Sequence, residues 1–288
     1  MKSLRPELSS TDPTADPPPA VRLGRGLDLS ALAELFVLTL RQHARGRRLL
    51  ILAALFTLPA GLAVVARLAN PSLTPAHLEL PLVFTLLPHA LVPLAALLYA
   101  SGMIQDEVEE QTLTYLLIRP LPRWALYGTK LLATWLLTAL LTGFFTAMTY
   151  VAISWGNAER GGTVLAARVA WTVLILALGL VSYCGLFGCL SLLTRRSFVA
   201  GIAYIGLFEG LFANIDFVVR RVTIMYYLRV LDVRWLEMNP ARWSLDLAKA
   251  PEARSCVLLL LGVGAVTTVL AALIFRTREF RLKTPEGS

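Results

Sequence analysis

Charge is scarce in this chain. Asp, Glu, Lys and Arg make up 16% of its 288 residues, against 56% hydrophobic ones. Soluble globular domains carry about 25% charge, so the composition excludes an ordinary water-facing domain. Cysteine is scarce too. Cys184, Cys189 and Cys256 are the three present, each inside an apolar run. The first two are five apart, about 140° around one helix, and cannot pair with each other. All three read as small buried residues rather than a redox or metal motif. Histidine is limited to His43, His77 and His89, scattered along the chain. His89 follows Pro88 and reads as a helix-packing residue, with a proton or metal role as the alternative. No GxxxxGK[ST] loop occurs, which excludes ATP hydrolysis by that route, and no HExxH zinc helix occurs. The first 28 residues are polar and Pro-rich, the wrong composition for a cleavable signal peptide.

What is present is six apolar runs: residues 49–66, 80–104, 131–155, 169–193, 197–219 and 255–275. Crossing a bilayer takes about 20 residues. The expected fold is therefore an all-α membrane protein with six transmembrane helices. Pro59 interrupts the first and shortest run, which lipid tolerates. Residues 1–28 read as a disordered tail and 276–288 as a second tail. In residues 29–48, Leu29, Leu32, Leu35, Phe36 and Leu40 fall near one helical face and the bases gather at the C-terminal end. That pattern predicts an interfacial helix, or else an extension of the first span.

With the N-terminus inside, 17 Lys and Arg lie on the inner side and 10 on the outer side. Arg41, Arg45, Arg47 and Arg48 directly precede the first run, where the bias weighs most. Both termini are thus expected in the cytoplasm, in a cell (inner) membrane. This bias accounts for much of the net charge of +8, so no nucleic-acid partner is expected. Segment 220–254 would lie outside, although it carries seven bases. Its Tyr226, Tyr227, Trp235 and Trp243 predict short helices on the outer leaflet or dipping into it.

Several residues inside the runs stand out. Pro81, Pro88 and Pro93 predict a bent second helix. Gly179, Ser182, Gly185 and Gly188 predict close helix contact along the fourth. Gly206 and Gly210 form a GxxxG match in the fifth. That helix also carries Glu209 and Asp216, which share one face to within about 20°. A carboxylate at mid-membrane costs roughly 2.5–3.5 kcal/mol and faces a bundle interior or a wet cavity. Glu209 is thus a candidate for the pathway or a subunit interface, or for a hydrogen bond to another helix. Asp216 is the second candidate, with a place near the outer end as its plainer reading.

The most ordered feature is a charged band between the second and third runs, residues 105–130. Asp106, Glu107, Glu109 and Glu110 come first, then an amphipathic stretch, then Arg119, Pro120, Pro122, Arg123 and Lys130. Gly102, Ile104, Glu107, Thr112, Leu113, Leu116, Leu117, Arg119, Pro120, Arg123 and Lys130 spell G-x-I-x-x-E-x-x-x-x-T-L-x-x-L-L-x-R-P-x-x-R-x6-K. This string resembles the segment after the second span of ABC-2 type transporter permeases, apart from Gln111, where the family often has Gly. The layout over residues 29–280 is similar as well.

The resemblance implies a permease that moves its substrate, as an exporter, by means of a separate ABC ATPase. Glu107, Glu110, Thr112, Leu113, Leu116, Leu117, Arg119, Pro120 and Arg123 would form the coupling helix that seats in the ATPase. Pro120 and Pro122 would close that helix. ATP and Mg would bind the partner, with no cofactor on this chain. A second permease copy or paralogue and membrane lipid would be the other partners. Two further readings stay open: an ion-coupled carrier or membrane adaptor built on Glu209, and an intramembrane enzyme.

Overall fold

A computed structural model describes residues 29–109, 122–155, 162–194, 196–215 and 218–277, with the backbone alone at 107–109 and 218. Residues 1–28 and 278–288 and most of the band, Glu110 to Pro120 included, lie outside the described residues, as does Asp216. Among the described residues there are helices and no strands. Six helices are long and apolar enough to cross a membrane: Arg47–Ala69, Pro75–Asp106, Arg123–Ser154, Gly162–Leu193, Ser197–Asn214 and Ala253–Thr277. They are called spans 1 to 6 below. The protein is an all-α, multi-pass membrane protein.

A leading helix, Leu29–Arg45, precedes span 1. Gly46 is extended and separates the two, so Arg47 and Arg48 open span 1 rather than close the leading helix. Except for span 5, the helices also start before their apolar runs. Span 3 begins at Arg123, just after Pro122, eight residues before the apolar run does. At 1.5 Å per residue its 32 residues reach about 48 Å, well beyond a hydrocarbon core of about 30 Å. Apolar runs mark the lipid slab, whereas backbone hydrogen bonding carries the helix past it.

Span 2 is irregular where its prolines predicted a bend. Pro75–Glu79 is α-helical, Leu80–Leu91 is π-helical, and α-helix resumes at Val92. Pro81 and Pro88 lack an N–H, so a strict i→i−4 ladder cannot run through them. Span 5 changes register in the same way. Ser197–Tyr204 is α-helical, Ile205–Leu211 π-helical and Phe212–Asn214 a 3-10 turn. π-Helical segments in α-helices concentrate at functional sites. These two flank the same buried helix, described below.

Span 4 is the central post and packs against spans 2, 3 and 6. Its small residues each admit a neighbour. A Cβ on Gly179 would meet Leu228 at 3.0 Å, and one on Gly188 would meet the Tyr127 hydroxyl at 2.6 Å. The Ser182 hydroxyl donates to the Leu260 carbonyl at 2.7 Å. Gly185 and Gly264 bring the backbones of spans 4 and 6 together: a Cβ on Gly185 would lie 2.9 Å from the Gly264 carbonyl oxygen. By contrast, Gly206 meets no described atom within 4 Å, and Gly210 meets its own helix.

Segment 220–254 supplies a helix that enters the bundle. Ile224–Trp235 is buried at nine of its twelve positions, against spans 4 and 6 and the π-helical part of span 2. It is called the inserted helix below. Its length, about 18 Å, is too short to cross a bilayer.

The span 4–span 6 crossing gives a first test. A Cβ on Gly264 would sit 2.9 Å from the Val181 carbonyl oxygen, and backbone cannot step aside cheaply. Gly264→Ala is expected to cost about 1–3 kcal/mol. The thermal midpoint in detergent should fall, while Gly262→Ala, where nothing lies within 4 Å, leaves it in place.

Candidate functional site

Two polar sites stand out in the apolar bundle. The first is the base of the charged band. Span 2 delivers Gly102 and Met103 just before it and Gln105 and Asp106 at its start. Asp106 binds Arg48 of span 1 in bidentate fashion, with Nη1 donating to Oδ2 at 2.6 Å and Nη2 to Oδ1 at 2.8 Å. The Arg48 guanidinium lies over Gly102, where a Cβ would come within 1.9 Å of Nη1. Gln105 Oε1 accepts from the Ser197 hydroxyl of span 5 at 2.7 Å. Lys130 of span 3, 2% exposed, approaches the Met103 carbonyl at 3.5 Å. Spans 1, 3 and 5 are therefore all tied to span 2 through four of its residues, Gly102, Met103, Gln105 and Asp106.

The leading helix joins the same base. His43 Nε2 and Thr134 Oγ1 of span 3 are hydrogen-bonded, 3.0 Å apart. The Tyr99 ring of span 2 packs on the His43 ring at 5.0 Å. Burial pulls His43 down to about 4, helped by the positive charges of Lys130 and Arg48 and opposed by Asp106. The imidazole is thus neutral near pH 7.

Of the coupling residues read from the sequence, Glu107 falls in the helix Val92–Glu109 just past span 2, and Arg123 opens span 3. Arg123 donates to the Arg276 carbonyl of span 6 at 3.3 Å. Glu110, Thr112, Leu113, Leu116, Leu117, Arg119 and Pro120 lie outside the described residues. The flanking motif positions acquire physical reasons: Gly102 makes room for Arg48, Ile104 is core, and Lys130 crosses to span 2.

The second site surrounds the inserted helix. A helix starting inside a bundle presents unpaired N–H groups. Glu209 of span 5, 0% exposed, meets them: Oε1 accepts from Ile224 N–H at 3.3 Å and Oε2 from Met225 N–H at 3.1 Å. Thr223 caps the same end, accepting from Tyr226 N–H at 3.3 Å. The Tyr204 hydroxyl donates to Glu209 Oε1 at 3.2 Å. Tyr204 is itself held edge-on to Phe187 of span 4 and stacked on Phe208. A carboxylate at a helix N-terminus also gains from the helix dipole.

Further along the inserted helix, Arg229 is 6% exposed. It donates to the Ala213 carbonyl at 2.8 Å and to Asn214 Oδ1 at 2.7 Å. Its Nη2 also lies 2.7 Å from His89 Nε2. His89 Nδ1 lies 3.0 Å from the Thr85 carbonyl, which can accept and never donate. Nδ1 therefore carries the proton, Nε2 accepts from Arg229, and the ring is neutral. Asp232, one turn on and 3% exposed, has its carboxyl pushed well above the usual range by burial, against the pull of Arg229 and Arg168.

A second ion pair closes the end remote from the band. Glu79, at the start of span 2, accepts from Arg168 Nε of span 4. Arg168 also reaches the Leu236 carbonyl at 3.4 Å, just past the inserted helix. Sequence reading missed Arg48–Asp106, Glu79–Arg168 and Arg229–His89. Each joins residues at least 58 positions apart, beyond the reach of spacing rules. Among the described residues no group of three His, Cys, Asp or Glu side chains could hold a metal ion.

A family model described as "ABC-2 family transporter protein" matches residues 43–212. The match runs from the end of the leading helix into span 5 and contains the whole band. No curated protein matches the chain.

Two outcomes are expected of these sites. Glu209→Ala leaves two buried N–H groups without an acceptor, each worth about 1–3 kcal/mol. Hydrogen exchange at Ile224 and Met225 should accelerate by at least tenfold, with Glu209→Gln recovering part of the protection. His43 sets a pH dependence. Its folded value lies below the unfolded one, so the unfolded chain binds the proton first as pH falls. Stability should drop between about pH 6.5 and 4 and level off below. Thermal midpoints of His43→Gln should lose that part of the acid sensitivity.

Proposed function

Because this chain belongs to the ABC-2 transporter family, we propose that it is the permease subunit of an exporter driven by a separate ABC ATPase seated on the charged band. The one observation that carries this reading is the anchorage of the band's base. A push on a loosely attached loop would be lost in the loop. Here Gly102, Met103, Gln105 and Asp106 tie the start of the band to spans 1, 3 and 5. Force applied at the band is thereby spread over most of the bundle.

On this reading Glu107, Glu110, Arg119 and Arg123 supply charge complementarity to the ATPase, and Leu113, Leu116 and Leu117 the apolar anchors. ATP and Mg bind there and not on this chain. The band and both termini face the cytoplasm, and the membrane is the cell (inner) membrane. Spans 5 and 6 are the least buried, at 22% and 17% of their apolar windows. That supports a second permease copy or paralogue against this chain, with lipid over the rest. Glu209 serves the pathway by holding the inserted helix in place, and Asp216 is a second candidate for the pathway or a subunit interface.

Co-purification tests the proposal. Glu107→Lys and Leu116→Asp are expected to weaken recovery of the ATPase severalfold from solubilised membranes, with the amount of inserted permease unchanged. Undiminished recovery with both variants would remove the band as the docking element.

A further inference from the structure

Arg48, Gly102 and Asp106 break local rules at one place. Arg48 sits in the first turn of span 1, where the helix dipole disfavours a cation. Gly102 lies within a regular α-helical stretch, where Gly is about 1 kcal/mol worse than Ala. Local helix stability explains neither residue. The tertiary contact explains both: the guanidinium needs the space above Gly102 to reach Asp106 with two bonds. Rule-breaking residues that serve one long-range contact mark a functional position.

The packing says what the contact does. Span 1 lies chiefly against span 3 and the π-helical part of span 2, and touches the rest of span 2 little. Arg48 also approaches the Leu98 carbonyl at 3.5 Å. Gly46, directly before span 1, lets the leading helix and span 1 differ in direction. Without the Arg48–Asp106 pair, the start of span 1 could stay behind when the band end of span 2 moves.

We propose that Arg48 and Asp106, seated on Gly102, are positioning residues that carry motion of the band into span 1. The pair is a transmission latch, distinct from the surface that binds the ATPase. This inference rests on the band being the place where an ATPase pushes.

The test uses the full permease–ATPase complex in liposomes. Arg47, the exposed first residue of span 1, is replaced by Cys and labelled with a membrane-impermeant maleimide, with and without ATP and vanadate. The three native cysteines are buried. With the latch intact, nucleotide trapping should change the labelling rate severalfold. Asp106→Asn should abolish that change while the ATPase still co-purifies and traps nucleotide. The exchanged pair Arg48→Asp with Asp106→Arg should restore it, with the acid now suited to the first turn of span 1. Gly102→Ala keeps both charges and should reduce the change by displacing Arg48. A nucleotide-dependent change in Asp106→Asn equal to that of the parent overturns the latch, as does no change in the parent with nucleotide trapped. Failure of the ATPase to co-purify with the parent overturns the docking proposal itself, and the latch with it. Co-purification therefore separates the two failures.

Discussion

A helix that begins inside an apolar bundle cannot turn to water for its first N–H groups, and Glu209 is what this bundle provides instead. The inserted helix depends on that carboxylate. Two backbone donors and one tyrosine hydroxyl converge on it. The arrangement explains why a carboxylate is tolerated in span 5 at all. Its cost in a membrane interior is real, yet the groups it answers would each cost about as much unpaired. Once the inserted helix is seated, its Arg229 ties the end of span 5 to His89 of span 2. Both spans are π-helical nearby. Local irregularity and long-range polar contact thus occur together.

Span 2 is the member that links these sites. Glu79 at its start holds span 4, His89 holds the inserted helix, and Asp106 holds span 1. All three anchors are polar, while the rest of the span is mostly core. Apolar packing between helices in lipid fixes distance well and axial position poorly, because lipid tails compete on equal terms. Directional bonds at three heights fix axial position.

The sequence made the membrane slab legible and left the wiring invisible. Runs of apolar residues identified all six spans, since hydrocarbon leaves no other choice of composition. They misjudged the ends: span 3 starts at Arg123 and span 1 at Arg47, because hydrogen-bonded backbone continues into polar residues. Small residues in span 4 were readable as close contacts. Glu209 was readable as an anomaly, and its partners were not, since they are backbone N–H groups with no sequence signature. The buried helix at Ile224–Trp235 was the hardest to read. Its Arg229, Asp232 and Arg234 look like surface charges until the fold places Arg229 against His89 and buries Asp232.

The two ion pairs of span 2 differ in a way that suits a lever. In the Glu79–Arg168 pair the acid side chain is 3% exposed and the base 24%. Removing one partner of a buried pair costs about 3–5 kcal/mol, because the other charge is left without water. That end acts as a fixed point. In the Arg48–Asp106 pair both side chains are 40% exposed. Water can replace either partner, and exposed pairs are worth about 0.2–1 kcal/mol. Such a contact can open and close during a cycle at small cost, while its bidentate geometry and the Gly102 seat still define where it closes. If an ATPase pushes at the band, as proposed, a tight end and a releasable end on one helix would give that push a direction, with the band end moving and the far end holding.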